Sequence, residues 1–276
     1  MAEFIRWFQD PPGAALSAEY KVDNFTIPAG GVPVGHRLFV AIAAKQSTTL
    51  VLAPTITRAG SPVVGNTWVL QFAKINTDVN SDPLAMACYS LHVAVPLEAG
   101  DVVDMGYTAG AKHTLISMEF AGLQRSAVPG GVDTDAYTVL GPDSAPYVHG
   151  DFGPLSVSGA RLLLGAVAMT VVGETDTVGA PETEFRPTLP AGMTRGSCYH
   201  SDLDIITYPT RIGITMTYQF VSAGTYLMEG DYFPNASRVG NNINFAGGII
   251  STRLLADYGD LAQTQNGWLF QVRNDG

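Results

Sequence analysis

Gly35-His36-Arg37-Leu38-Phe39-Val40 returns further along the chain as Gly159-Ala160-Arg161-Leu162-Leu163-Leu164. Two shorter echoes keep nearly the same spacing: Ala99-Gly100 with Ala223-Gly224, and Phe120-Ala121-Gly122 with Phe245-Ala246-Gly247. Strings this short coincide by chance in β proteins, but a constant offset, here about 124 residues, is the mark of an internal repeat. Each half then follows one script: a Gly-Arg-Leu strand, a variable region, an Ala-Gly turn and a closing Phe-Ala-Gly strand. Two architectures satisfy it. Tandem sandwiches would join near Val128-Pro129-Gly130-Gly131, whereas in one jelly-roll-like sandwich both halves would supply strands to a shared, intertwined core. The second is favoured, because each half has few strong strands and the Arg37 and Arg161 strands are nearly continuous apolar runs.

The rest of the chain supports an all-β reading with very little helix. Its 30 Gly and 17 Pro interrupt nearly every window long enough for a helix. Between them lie short runs rich in Val, Ile, Thr, Tyr and Phe, the composition of strands. Ile212, Ile214, Met216, Tyr218 and Phe220 alternate with Gly213, Thr215, Thr217 and Gln219, giving one apolar and one polar face. Only Leu254 to Ala262 offers a helical turn or two. The expected organisation is an N-terminal arm over residues 1–16, a sandwich over 17–255 and a C-terminal arm over 256–276. Within the sandwich the halves are 17–126 and 134–255, with a linker at 127–133.

Composition narrows the function classes. Charged residues are only 14% of the 276, against roughly 25% in ordinary soluble domains. Such a chain buries much of itself or turns surface toward other protein. A net charge of −10 with 15 scattered basic residues argues against a nucleic-acid partner, which needs clustered Lys and Arg. Met1 to Pro12 shows no basic leader followed by an apolar core, so no signal peptide is expected, and no apolar run reaches the ~20 residues of a membrane helix. Cys88 and Cys198 are too few for a disulfide framework and are read as reduced, buried thiols.

No constellation for catalysis, a metal or a cofactor stands out, and the chain is expected not to be an enzyme. His36, His92, His113, His149 and His200 lie in no metal-ligand spacing, and His92 is read as a core histidine. Neither a Gly-x-Ser-x-Gly elbow nor a phosphate-cradling glycine loop occurs. The acidic pairs Asp133/Asp135, Glu174/Asp176, Glu182/Glu184 and Asp202/Asp204 read as solvated loop acids. Calcium ligation and paired-carboxylate glycoside hydrolysis are the sharper alternatives. Trp68 is read as a core plug. Both chain ends are greasy, and Phe4, Trp7, Phe8, Trp268 and Phe270 are the expected assembly contacts, arms docking onto neighbouring subunits.

Four segments together resemble the minor tail proteins of tailed, actinobacterial bacteriophages. They are Val34-Gly35-His36-Arg37-Leu38-Phe39-Val40-Ala41-Ile42, Val64-Gly65-Asn66-Thr67-Trp68, Leu97-Glu98-Ala99-Gly100-Asp101-Val102-Val103 and Met118-Glu119-Phe120-Ala121-Gly122-Leu123, in the family's order. Ser61-Pro62-Val63 departs from it, standing where family members often show an acidic turn. The resemblance implies a virion structural protein of β-sandwich fold, made in the host cytoplasm and placed in the tail or tail tip, with no catalytic residues to carry over. Its implied partners are other virion proteins and copies of itself (a trimer by analogy), with a host-surface glycan as the further candidate partner. Alternatives are a carbohydrate-binding, receptor-contacting module, a head decoration protein and, last, a polysaccharide-cleaving enzyme.

Overall fold

The computed structural model describes residues 2–8, 24–45, 53–77, 83–104, 112–124, 131–140, 148–171, 194–201, 211–232 and 242–255. Among these residues the chain is all β, with no helix. Sixteen strands form antiparallel sheets: β1 Glu3–Trp7, β2 Asn24–Thr26, β3 Arg37–Lys45, β4 Thr55–Arg58, β5 Ser61–Pro62, β6 Trp68–Asn76, β7 Leu84–His92, β8 Val102–Asp104, β9 Lys112–Ala121, β10 Gly131–Leu140, β11 Val148–Val157, β12 Arg161–Val171, β13 Thr194–Ser201, β14 Arg211–Val221, β15 Gly224–Tyr232 and β16 Asn242–Arg253. The sequence also reads as a strand over Thr48–Leu52, which lies outside the described residues, as does most of the Leu254–Ala262 helical turn.

The repeat is real at the level of topology. One five-stranded sheet runs β1-β9-β3-β7-β6 and the other β10-β16-β12-β14-β13, the same order in each half. Outside each lies a smaller sheet, β2-β8-β4-β5 in the first half and β11-β15 in the second. The Arg37 and Arg161 strands, β3 and β12, are both central, as their apolar runs suggest. The two halves do not interleave, however. Every hydrogen-bonded sheet among the described residues draws its strands from one half, so the expected intertwining gives way to two sheets packed face to face.

That packing makes the main core. Phe39, Ala41, Ala43, Met86, Cys88, Met118 and Phe120 of the first sheet meet Leu162, Leu164, Ala166, Ile214, Met216 and Ile250 of the second. The contacts are reciprocal: β9 crosses β13 and β14, while its counterpart β16 crosses β6 and β7. This is the signature of an approximate internal two-fold. Near it, Leu123 and Leu254 form an antiparallel bridge between the halves. On the other face of the first sheet, Leu38, Val40, Ile42, Ala85, Ala87 and Leu91 pack with Phe25, Ile56 and Val103 of the smaller sheet. Strand β3 is therefore apolar on both faces because it lies in the middle of three layers.

Residue by residue, the repeat is less regular than its echoes. Phe39, Ala41 and Ala43 point into the main core, and so do Leu162 and Leu164. Alternation along each strand then puts Arg37 on the inner face and Arg161 on the outer one, since a one-residue slip exchanges faces. Phe120 pairs with Arg37 at the start of β3, whereas Phe245 pairs with Met169 near the end of β12, so the Phe-Ala-Gly strings are not equivalent. Ala99-Gly100 and Ala223-Gly224 do correspond in order, the first lying between β7 and β8 and the second closing the link after β14, with Gly224 opening β15.

Both expected boundaries shift. The proposed N-terminal arm contains β1, which pairs with β9 through Glu3↔Ala121 and Trp7↔Met118. The proposed linker overlaps β10, which starts at Gly131. Truncating Phe39, fully buried and edge-on to Phe120 at 5.9 Å, removes contacts from both sheets. Phe39→Ala should cost about 3–5 kcal/mol of unfolding free energy in urea denaturation.

Candidate functional site

Polar chemistry in the first half concentrates at one rim, where three loops converge on residues 93–101. The Leu97–Asp101 turn is held by its own side chain. Asp101 accepts from the Glu98 amide at 2.9 Å, and Gly100 supplies the positive φ of 93° that the turn needs. Arg58, from β4, then forks onto Asp101 at 2.8 and 2.9 Å, reaches Glu98 at 2.5 Å and donates to the Pro96 carbonyl at 3.1 Å. Planar bidentate pairing of this kind is strong as well as directional. With Asp101 only 1% exposed, the network pins β4 to the turn before β8.

Asn66 performs the same task on the neighbouring loop. Its side-chain oxygen accepts from the amides of Ala94 and Val95, and its nitrogen donates to the Val95 carbonyl at 2.9 Å. Gly65 precedes it with φ 93°, and a Cβ there would press into the Val95 side chain. The third loop docks through the Val32↔Leu97 bridge and through Gly35 N to Val93 O at 2.9 Å. Gly30 to Pro33 and Pro96 to Ala99 enclose a shallow hollow of about 330 Å³. Apolar side chains stand exposed on the rim: Val34 at 56% and Val64 at 79%, beside exposed Pro33 and Pro96.

Beneath the rim a carboxylate is completely buried. Glu119 accepts from Arg6 Nε at 2.5 Å and meets His36 Nδ1 at 2.6 Å. Arg6 also donates to the Gly31 carbonyl and lies over the Phe8 ring. Leaving Glu119 unpaired there would be costly, so its partners Arg6 and His36 tie β1, β9 and the loop before β3 together. Arg37 takes the inner face, donating to Ser90 Oγ at 3.0 Å and the Gln124 carbonyl at 3.3 Å, with its guanidinium 5.1 Å from the Phe39 ring. Burial lowers its pKa to about 10, partly offset by Cys88.

The expected assembly residues divide. Phe4 stacks on Tyr218 of the second half at 4.9 Å and meets Phe120 edge-on; Trp7 joins the same cluster, and Phe8 packs on Phe25. These three aromatics are half-buried against their own chain, because β1 completes the sheet edge and spans the seam between halves. Trp268 and Phe270 lie outside the described residues. Trp68 packs against the outer core of the first sheet, and His92 ends β7 half-buried, opposite Arg37. Asp133 and Asp135 fall in β10 rather than in a loop; the other three acidic pairs lie outside the described residues. No group of three metal-ligating side chains occurs among the described residues. Sequence reasoning missed Arg6, Glu119, Arg58 and Asn66 as a set, although Asn66, Asp101 and Glu119 stand inside the quoted motifs.

Comparison with known proteins finds no family model, no curated protein and no solved structure that matches this chain.

Two predictions follow from the rim and its surroundings. Asp101 is held below the ordinary carboxylate range, chiefly by its hydrogen bonds from Arg58. A depressed folded-state pKa contributes stability that is complete above the unfolded value of about 3.9 and is lost as pH falls toward the folded one. Asp101→Asn should therefore flatten the acid limb of the stability curve below about pH 4, measured by urea unfolding at stepped pH. Cys88 is fully buried and its thiol is pushed up to about 12 by burial. Labelling by a thiol-disulfide reagent at pH 8 should proceed at Cys88 only as fast as the chain opens, and mass spectrometry of the labelled peptide checks it.

Proposed function

We propose that this chain is a structural subunit of a bacteriophage virion, a minor tail protein that acts by protein–protein assembly. The observation that carries the reading is the rim: exposed Val34 and Val64, with prolines beside them, held on loops that Asn66, Arg58 and Asp101 fix rigidly in place. Apolar side chains presented on a pre-ordered surface suit docking against another protein, since little ordering entropy remains to be lost on binding. The low charge content points the same way, and the resemblance of the four motifs supplies the virion context. Two of those motifs have structural tasks here: the Asn66 segment and the Ala-Gly-Asp turn both build the rim. On this reading the partners are copies of the chain and other tail components, and the working location is the particle.

Light scattering of the purified full chain tests the proposal. The expected result is a defined homo-oligomer, with the double substitution Val34→Asp and Val64→Asp reducing it to monomer while circular dichroism stays unchanged. A monomeric wild-type chain that binds host-wall glycans on an array would replace this reading with the carbohydrate-binding module.

A further inference from the structure

Among the described residues, the two halves differ in how the charges at the end of the central strand are matched. In the first, the outer face of the large sheet ends on Glu119, whose carboxylate is matched by Arg6 and His36. In the second, the corresponding end carries no carboxylate partner among the described residues. Arg161, the first residue of β12, stands directly opposite Arg253, near the end of β16. Leu162 and Leu254 point toward the main core, so both arginines project from the outer face. Side chains directly opposite on antiparallel strands are close neighbours, and like charges there repel.

Neither burial nor hydrogen bonding relieves that repulsion. Arg161 is only 6% exposed, and its Nη1 is buried with no hydrogen-bond partner. Ser251, on the same face and two residues before Arg253, is wholly buried and its hydroxyl is likewise without a partner. Burial, then Arg253, depresses the Arg161 pKa. By contrast, Arg37 begins the equivalent strand of the first half and has Ser90, Gln124 and the Phe39 ring around it. Arg253 itself is exposed, which leaves the pair open to solvent on one side. Its backbone carbonyl accepts from Gln124 N at 3.0 Å, so the strand beneath it is tied to the first half and fixed in position.

We propose that Arg161, Arg253 and Ser251 form an oxyanion-binding site for a carboxylate or phosphate group. An oxyanion between two guanidinium groups would satisfy the buried Nη1, convert the like-charge repulsion into two charge-assisted pairs and give the Ser251 hydroxyl an acceptor. The chain, at −10 overall, is itself a source of carboxylates, so a neighbouring copy can supply the group as readily as a free anion. The site is independent of the rim proposed above for assembly.

Thermal unfolding of the full chain in inorganic phosphate, against chloride at equal ionic strength, tests it. The wild type should gain melting temperature saturably, on the order of 5 °C at a hundredfold excess over Kd. Arg253→Gln, at an exposed position, should abolish the gain, while Lys74→Gln in the first sheet should keep it. Sedimentation distinguishes the sources. If phosphate dissociates an oligomer and Arg253→Gln is already dissociated, the natural oxyanion is a carboxylate of a neighbouring copy; if the sedimentation coefficient is unchanged, it is a free anion. An equal phosphate response in wild type and Arg253→Gln, or none in either with identical sedimentation, overturns the proposal.

Discussion

Each large sheet carries apolar side chains on both faces, and covering both faces at once sets everything else in this molecule. A sheet with one greasy face needs a single partner layer. Here β3 turns Leu38, Val40 and Ile42 one way and Phe39, Ala41 and Ala43 the other, so it requires a layer on each side. The smaller sheet covers the outside and the second half covers the inside. The face-to-face packing of the halves is therefore the consequence of a central strand that neither half can bury alone, and the N-terminal aromatics on Tyr218 and Phe120 close the seam at its edge.

Polar groups are placed around that constraint. Where the apolar layers end, arginines and carboxylates take over, and in the first half they pair off. Arg58 serves Asp101 and Glu98, Arg6 serves Glu119, and Arg37 is held by neutral acceptors and a ring face. These groups are spent on joining loops and strands, which makes the first rim a rigid surface. The second half keeps the topology, but among the described residues Arg161 has no such carboxylate partner, because the register of its leading strand is displaced by one residue and its arginine faces outward. Among the described residues, the duplicated scaffold thus offers two chemically different ends, one with paired charges beside apolar side chains, the other with Arg161 Nη1 and the Ser251 hydroxyl unsatisfied.

The β class, the positions of most strands and the twofold organisation were all legible in the sequence. Gly and Pro punctuation, period-two alternation and β-branched composition are local properties, and the strands that the sequence reads over Arg37–Ala44, Arg161–Thr170, Arg211–Phe220 and Asn242–Leu254 coincide closely with β3, β12, β14 and β16. Strands β1, β4 and β5 were not read, being short edge segments whose pairing comes from distant partners rather than from their own pattern. Asn66, Asp101 and Glu119 were visible as letters in motifs, yet nothing in those motifs names Arg58 or Arg6 as their partners.

The sequence by itself determined that this chain would be antiparallel β, twice over, with Arg37 and Arg161 opening the two central strands, because periodicity and turn residues act over a few positions. Tertiary structure alone decided that the halves would stack without interleaving, that the greasy N-terminus would become an edge strand, and that Arg37 and Arg161 would face opposite ways. The physical reason is separation along the chain: Glu119 lies 83 residues from His36 and 113 from Arg6. Charge pairing, strand register and the choice of covering layer at such distances are set only when the whole fold brings the segments together.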